Sequence, residues 1–128
     1  MRAMLMALAL TLSVAANADS LCDILRDAKI IAQDDKNTYL GRISNKFAAD
    51  SIFNSYGEFG NPYSGTSIWN TYAEFGNPYS SHSVANAYSM SPPMLIKDGK
   101  IIGYLSVNKS IKNAVSANLL KALCEDEL

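Results

Sequence analysis

The chain has 128 residues, 48% of them hydrophobic, with eleven basic and twelve acidic side chains and a formal net charge of −1. That length predicts a single domain. The charge balance, with no basic stripe, argues against nucleic acid and against an anionic membrane surface as partners, because both are held by clustered Lys and Arg.

Residues 1–18 read as a signal peptide. Arg2 supplies the positive start, residues 4–12 are almost unbroken apolar, and Ala16-Asn17-Ala18 is a small-x-small site that predicts cleavage before Asp19. The apolar run is shorter than the roughly 20 residues of a transmembrane helix, and no later segment is apolar enough to span a bilayer. Leu21 ahead of Cys22 makes a poor lipobox, so no lipid anchor is expected. Residues 19–128 are then one exported domain, periplasmic or secreted. In an oxidising compartment Cys22 and Cys124, one at each end of that domain, pair as a disulfide. Closing a loop of about 100 residues contributes roughly 4–5 kcal/mol in a chain-entropy treatment. The competing reading, a metal or redox pair, lacks a CxxC partner or a neighbouring His. The closing Glu125-Asp126-Glu127-Leu128 is an acidic tail, since a retention tetrapeptide would begin with Lys or His.

Leu21, Ile24, Leu25 and Ala28 are spaced for a helix capped by Ser20. Residues 29–32 and 38–43 flank a polar loop and predict a hairpin. A tandem repeat follows. Residues 51–66 read SIFNSYGEFGNPYSGT and residues 67–82 read SIWNTYAEFGNPYSSH, in register at a period of 16; a partial copy, SVANAYSM, occupies residues 83–90. Each copy predicts a short helix: Ser67 as N-cap, Ile68, Tyr72 and Phe75 on one face, Gly76 at the left-handed C′ position and Pro78 as the stop. Helices this short need to stack; turn-rich extended loops are the rival reading of the same Gly, Asn, Pro and Ser content. Residues 94–97 and 100–105 form a second hairpin around Asp98-Gly99. Ile111, Val115, Leu119, Ala122 and Leu123 are spaced for a closing helix capped by Ser110. The fold class is therefore α+β: two hairpins forming a small antiparallel sheet, bracketing tandem helix-turn repeats, with terminal helices joined by the disulfide.

The stretch from Tyr39 to Val107 resembles a family of small exported bacterial proteins of uncharacterised function. Their pattern is a Tyr-Leu-Gly strand, tandem S-I-F-N-x-Y-G-x-Y/F-G-S/N-x-Y-S units and a Pro-Pro hairpin with Asp-Gly at its tip, here Tyr39-Leu40-Gly41, the copies from Ser51 and Ser67, and residues 92–105. The resemblance implies export and a shared fold but no activity. Ala73 stands where the first copy has Gly57, and the terminal helices with Cys22 and Cys124 lie outside the shared pattern.

No zinc spacing, phosphate-binding Gly loop or nucleophile elbow is present, and no cofactor is expected. His82, the sole histidine, reads as a solvated connector, and Glu58 and Glu74 as the polar side of each helix. Tyr56, Phe59, Tyr72 and Phe75 are expected in the core. Tyr63 and Tyr79, after Pro62 and Pro78, are expected to be exposed and, with Asn61, Asn77 and Trp69, are the candidate binding residues. Asn54, Asn70 and Asn86 recur at one position, where an amide bonding a neighbouring copy's backbone is the structural expectation. The function this suggests is a non-enzymatic interaction module binding an envelope protein or glycan through an aromatic repeat surface. A structural or stress-protective envelope protein is the alternative, and an envelope hydrolase or hydrolase inhibitor using Glu58, Glu74 or His82 a second one.

Overall fold

The computed structural model describes residues 20–128. The expected leader and its cleavage site lie outside the described residues.

Residues 20–25 are helical (α1), and Asp27, at φ 65°, turns the chain out of the helix and donates its N–H to the Ile43 carbonyl. Asp tolerates this left-handed conformation better than most side chains. Strands β1 (Lys29–Ile31) and β2 (Tyr39–Arg42) form the first antiparallel hairpin. Strands β3 (Met94–Lys97) and β4 (Lys100–Leu105) form the second. Asp98 and Gly99 both have positive φ, 54° and 75°, as a two-residue turn matched to strand twist requires. The hairpins join through an antiparallel β1–β3 pair, and a short strand not foreseen from the sequence, β5 (Ala114–Val115), adds in parallel to β4. The sheet order is β2-β1-β3-β4-β5.

The closing helix α2 (Ala117–Cys124) starts later than expected. Its cap is Ser116, whose Oγ accepts from the Leu119 N–H, and not Ser110. The chain around Ser110 is held in a turn by Asn108, and Asn113 at φ 62° redirects it into β5. The buried face of α2 is accordingly Ala117, Leu120 and Cys124, leaving Leu119 exposed. Cys22 and Cys124 form the disulfide, with Cα atoms 5.5 Å apart, and tie α1 to the end of α2. Leu25, Ile30, Leu40, Leu95, Leu105 and Leu120 fill the core between helices and sheet.

Between β2 and β3 the predicted short helices do not form. The chain instead runs through consecutive turns, each closed by an i→i+3 backbone bond: Asn54 to Ser51, Gly57 to Asn54, Gly60 to Gly57, Ser64 to Asn61 and Ser67 to Ser64, with the second copy repeating the series from Asn70 to Ser83. The cause is side-chain competition. Ser51, Asn54, Asn61, Ser64, Ser67, Asn70 and Asn77 each accept the backbone N–H two residues ahead, capping these turns before a helix propagates; only the turns from Gly57 and Ala73 lack a side-chain cap. Asn, Ser, Gly and Tyr have low helix propensity, and Pro62 and Pro78 bring no N–H.

The turns stack on one another. Ser67 Oγ donates to the Phe59 carbonyl, Asn70 Nδ2 to the Ser64 carbonyl, and the Val84 N–H to the Phe75 carbonyl, so bonds reach back six to nine residues. Ile52, Gly60, Ile68, Gly76 and Val84, eight residues apart in series, are all buried. The chain thus winds back on itself about every eight residues, twice per sequence copy. Gly76 is not a left-handed cap. A Cβ there would overlap the Asn70 carbonyl and stand 2.7 Å from the Ile68 carbonyl oxygen, and at Gly60 it would overlap the Asn54 carbonyl. Glycine is needed for close approach of the backbone.

Candidate functional site

Six Asn-x-aromatic triplets lie along these windings: Asn45-Lys46-Phe47, Asn54-Ser55-Tyr56, Asn61-Pro62-Tyr63, Asn70-Thr71-Tyr72, Asn77-Pro78-Tyr79 and Asn86-Ala87-Tyr88. In each, Asn Oδ1 accepts the N–H of the aromatic residue at 2.9–3.1 Å. The aromatic residues follow at alternating separations of nine and seven, which puts one on each winding. Their exposure runs from 85% at Phe47 to 98% at Tyr56. The backbone under each ring is pinned while the ring itself stands clear of the protein.

Tyr63 and Tyr79 are exposed, in line with the sequence-based expectation; Tyr56 and Tyr72 are not core residues, which corrects it. Without a helix the i, i+4, i+7 face does not exist, and the tyrosines lie on the outward turns. Of the four residues expected in the core only Phe59 and Phe75 point inward: Phe75 is buried and half-buried Phe59 packs edge-on against Tyr39, ring centroids 5.2 Å apart.

The asparagines divide into two kinds. Asn54, Asn70 and Asn86 also donate through Nδ2, to the carbonyls of Ala48, Ser64 and Ser80 at 2.9–3.1 Å. For Asn70 and Asn86 this is the expected bond to the preceding copy's backbone. Asn45, Asn61 and Asn77 use only Oδ1, Asn45 for the N–H groups of Phe47 and Ala48, Asn61 and Asn77 for those of Tyr63 and Tyr79. Their Nδ2 groups donate to no protein atom among the described residues, and none is buried without a partner. Trp69 is placed differently from the other candidate residues. Half-buried, it donates its indole N–H to the Ile52 carbonyl at 2.6 Å, and Lys121 Nζ of α2 lies 4.8 Å from its ring centre. It joins the windings to the closing helix.

Glu58 and Glu74 link adjacent windings: Thr66 Oγ1 donates to Glu58 at 2.8 Å, and His82 Nδ1 lies 2.7 Å from Glu74. His82 is therefore a paired residue rather than a free connector. Among the described residues, no cluster of three or more His, Cys, Asp or Glu is arranged to hold a metal ion, and no helix is long and apolar enough to cross a membrane.

A polar anchor at the start of the windings went unnoticed in the sequence. Arg42 donates to Asp50 through Nε and Nη2 and to Asp27 through Nη1 at 2.9 Å, while Tyr39 Oη donates to Asp50 at 2.6 Å. The Arg42 and Tyr39 hydrogen bonds hold the Asp50 carboxyl below its ordinary range. Burial, then the Asp50 contact, pushes the Tyr39 hydroxyl up to about 12. The missed signal is the spacing of Arg42 and Asp50, one winding apart.

No protein family, curated protein or solved structure matches this chain.

Proposed function

We propose that the chain is an exported, non-catalytic binding module of the bacterial envelope whose row of outward tyrosines is the contact surface for a partner. Export rests on the leader-like residues 1–18 and on the Cys22–Cys124 disulfide, a bond that persists in oxidising compartments. The observation that carries the binding role is the set of six aromatic side chains, one per winding, each at least 85% exposed on a hydrogen-bonded turn. Large rings kept in water contribute little to folding. Held on fixed backbone they offer contact area with few torsions left to freeze.

The test is a crosslinking pull-down of the mature protein from its native envelope, comparing wild type with the double variant Tyr63→Ala/Tyr79→Ala. The double variant should melt with the wild type, because neither ring is packed, yet capture little of the partner that mass spectrometry identifies with the wild type. Equal capture by the two proteins would refute the proposal.

A further inference from the structure

We infer that the aromatic edge binds an uncharged linear polysaccharide, through two ring-and-amide stations formed by Asn61 with Tyr63 and Asn77 with Tyr79. The inference rests on the reading of this edge as a binding surface and names its ligand.

The two stations have a free amide that Asn54, Asn70 and Asn86 lack, and they differ from Asn45-Lys46-Phe47, whose amide is also free, in carrying Tyr in place of Phe and no cation beside the ring. At Asn54, Asn70 and Asn86 both ends of the amide are bonded within the protein. At Asn61 and Asn77 the oxygen fixes the turn and the NH₂ group is left without a protein acceptor among the described residues. Each station therefore offers a flat ring with an open face and, two residues away, a donor pair seeking oxygen. A pyranose unit supplies the complement: axial C–H bonds that meet the electron-rich face of an aromatic ring, and hydroxyl or acetamido oxygens that accept from an amide.

Charge narrows the class. Between Ser51 and Ser91 the only acidic side chains are Glu58 and Glu74, bonded to Thr66 and His82, and no Lys or Arg occurs. A polyanion, whether nucleic acid or a phosphate- or carboxylate-bearing polymer, finds no cation there. Form narrows it further. The edge tyrosines are 88–98% exposed, so the rings do not pack together into the contiguous apolar patch that marks a protein interface. Separate, equivalent stations 16 residues apart suit a polymer of equivalent units, which gains avidity by engaging both at once.

The oxidised mature chain is tested for retention on insoluble chitin, on cellulose and on an insoluble β-1,3-glucan, all three uncharged or nearly so. Wild type should be retained on at least one of them, and Tyr63→Ala/Tyr79→Ala should wash through. Asn61→Asp/Asn77→Asp keeps the oxygen that caps each turn and exchanges the donors for an acceptor and a negative charge, which an uncharged ligand does not repel as an anion would; it should fold normally and bind roughly tenfold more weakly, the loss expected for one or two hydrogen bonds. Absence of wild-type retention on all three polymers overturns the inference, and so does undiminished binding by the Asp variant. Whole envelope, digested beforehand with a glycan hydrolase or with a protease, separates the two levels of the argument. Tyrosine-dependent capture that survives glycan digestion and is lost on proteolysis overturns the polysaccharide while sparing the binding edge. Capture independent of both tyrosines overturns both.

Discussion

Gly76 lies where two parts of the winding touch, and Gly65 faces open space with no heavy atom within 4 Å of an added Cβ. The two should respond oppositely to alanine. Gly76→Ala forces the Asn70 and Ile68 carbonyls apart and should destabilise by about 1–3 kcal/mol, as overpacking does. Gly65→Ala should be neutral or slightly stabilising, because it only restricts the unfolded chain. Urea titration of both variants checks the contrast; equal effects would show that the inward glycine is not sterically selected. Asp50 gives a second residue-level expectation. Its folded pKa is lowered, so its contribution to stability is complete above the ordinary carboxylate value near 4 and is lost as pH falls through the lower, folded value. Tyr39 acts with the opposite sign: its hydroxyl, raised from 10.0 to about 12, contributes below pH 10 and loses that contribution as pH rises towards 12. Stability measured against pH should fall at both ends, and Asp50→Asn should flatten both slopes. The exposure of Tyr63 and Tyr79 was legible because Pro62 and Pro78 mark outward turns. That of Tyr56 and Tyr72 was not, because their spacing from Ile52 and Ile68 also fits the apolar face of a helix.

At the level of elements, the hairpins were legible and the repeats only partly so. Asp-Gly between two apolar runs has one good backbone solution, and the β3–β4 hairpin adopts it. The repeats carry a pattern with two solutions. Ile68 and Phe75, seven apart, fit a helical face and also fit consecutive inward positions of an eight-residue winding. The alternation of Ser-Ile and Phe-Gly at those inward positions doubled the apparent period to 16 and hid the winding. What decides the outcome is the Ser or Asn that opens most of the turns, acting through its side-chain oxygen on the backbone. If so, the two kinds of asparagine differ in value. Asn70 makes two bonds to backbone and Asn61 one. At about 1 kcal/mol for each intramolecular hydrogen bond, Asn70→Ala should cost about twice what Asn61→Ala does. Denaturant midpoints rank them. Equal losses at Asn61 and Asn70 would mean that the inter-winding bond carries no weight.

Across the whole molecule, the windings occupy the chain between β2 and β3, and the two strand pairs they separate are neighbours through β1 and β3. The insertion is held at several places: by Arg42 and Tyr39 on Asp50 where it begins, by Asn108 Nδ2 on the Ser89 carbonyl where it ends, and by Trp69 beneath Lys121 in between. Its inward residues Ile52, Ile68, Phe75 and Val84 belong to the same core as the sheet and α2, so unfolding the windings exposes the core, and loosening α2 uncovers the windings. The disulfide closes this arrangement over a sequence separation of 102. A loop of that length contributes on the order of 4–5 kcal/mol, a large share of the roughly 5–15 kcal/mol that holds a small domain folded. Cys22→Ser/Cys124→Ser, or reduction of the wild type, should therefore lower the unfolding free energy by about 4 kcal/mol in a single cooperative step. Loss should register together at Trp69 fluorescence and in amide exchange at the Ser67 and Asn70 N–H groups, which are bonded within the windings. If reduction left those amides protected while α2 alone frayed, the windings would be a free-standing unit and the shared core would not be what stabilises them.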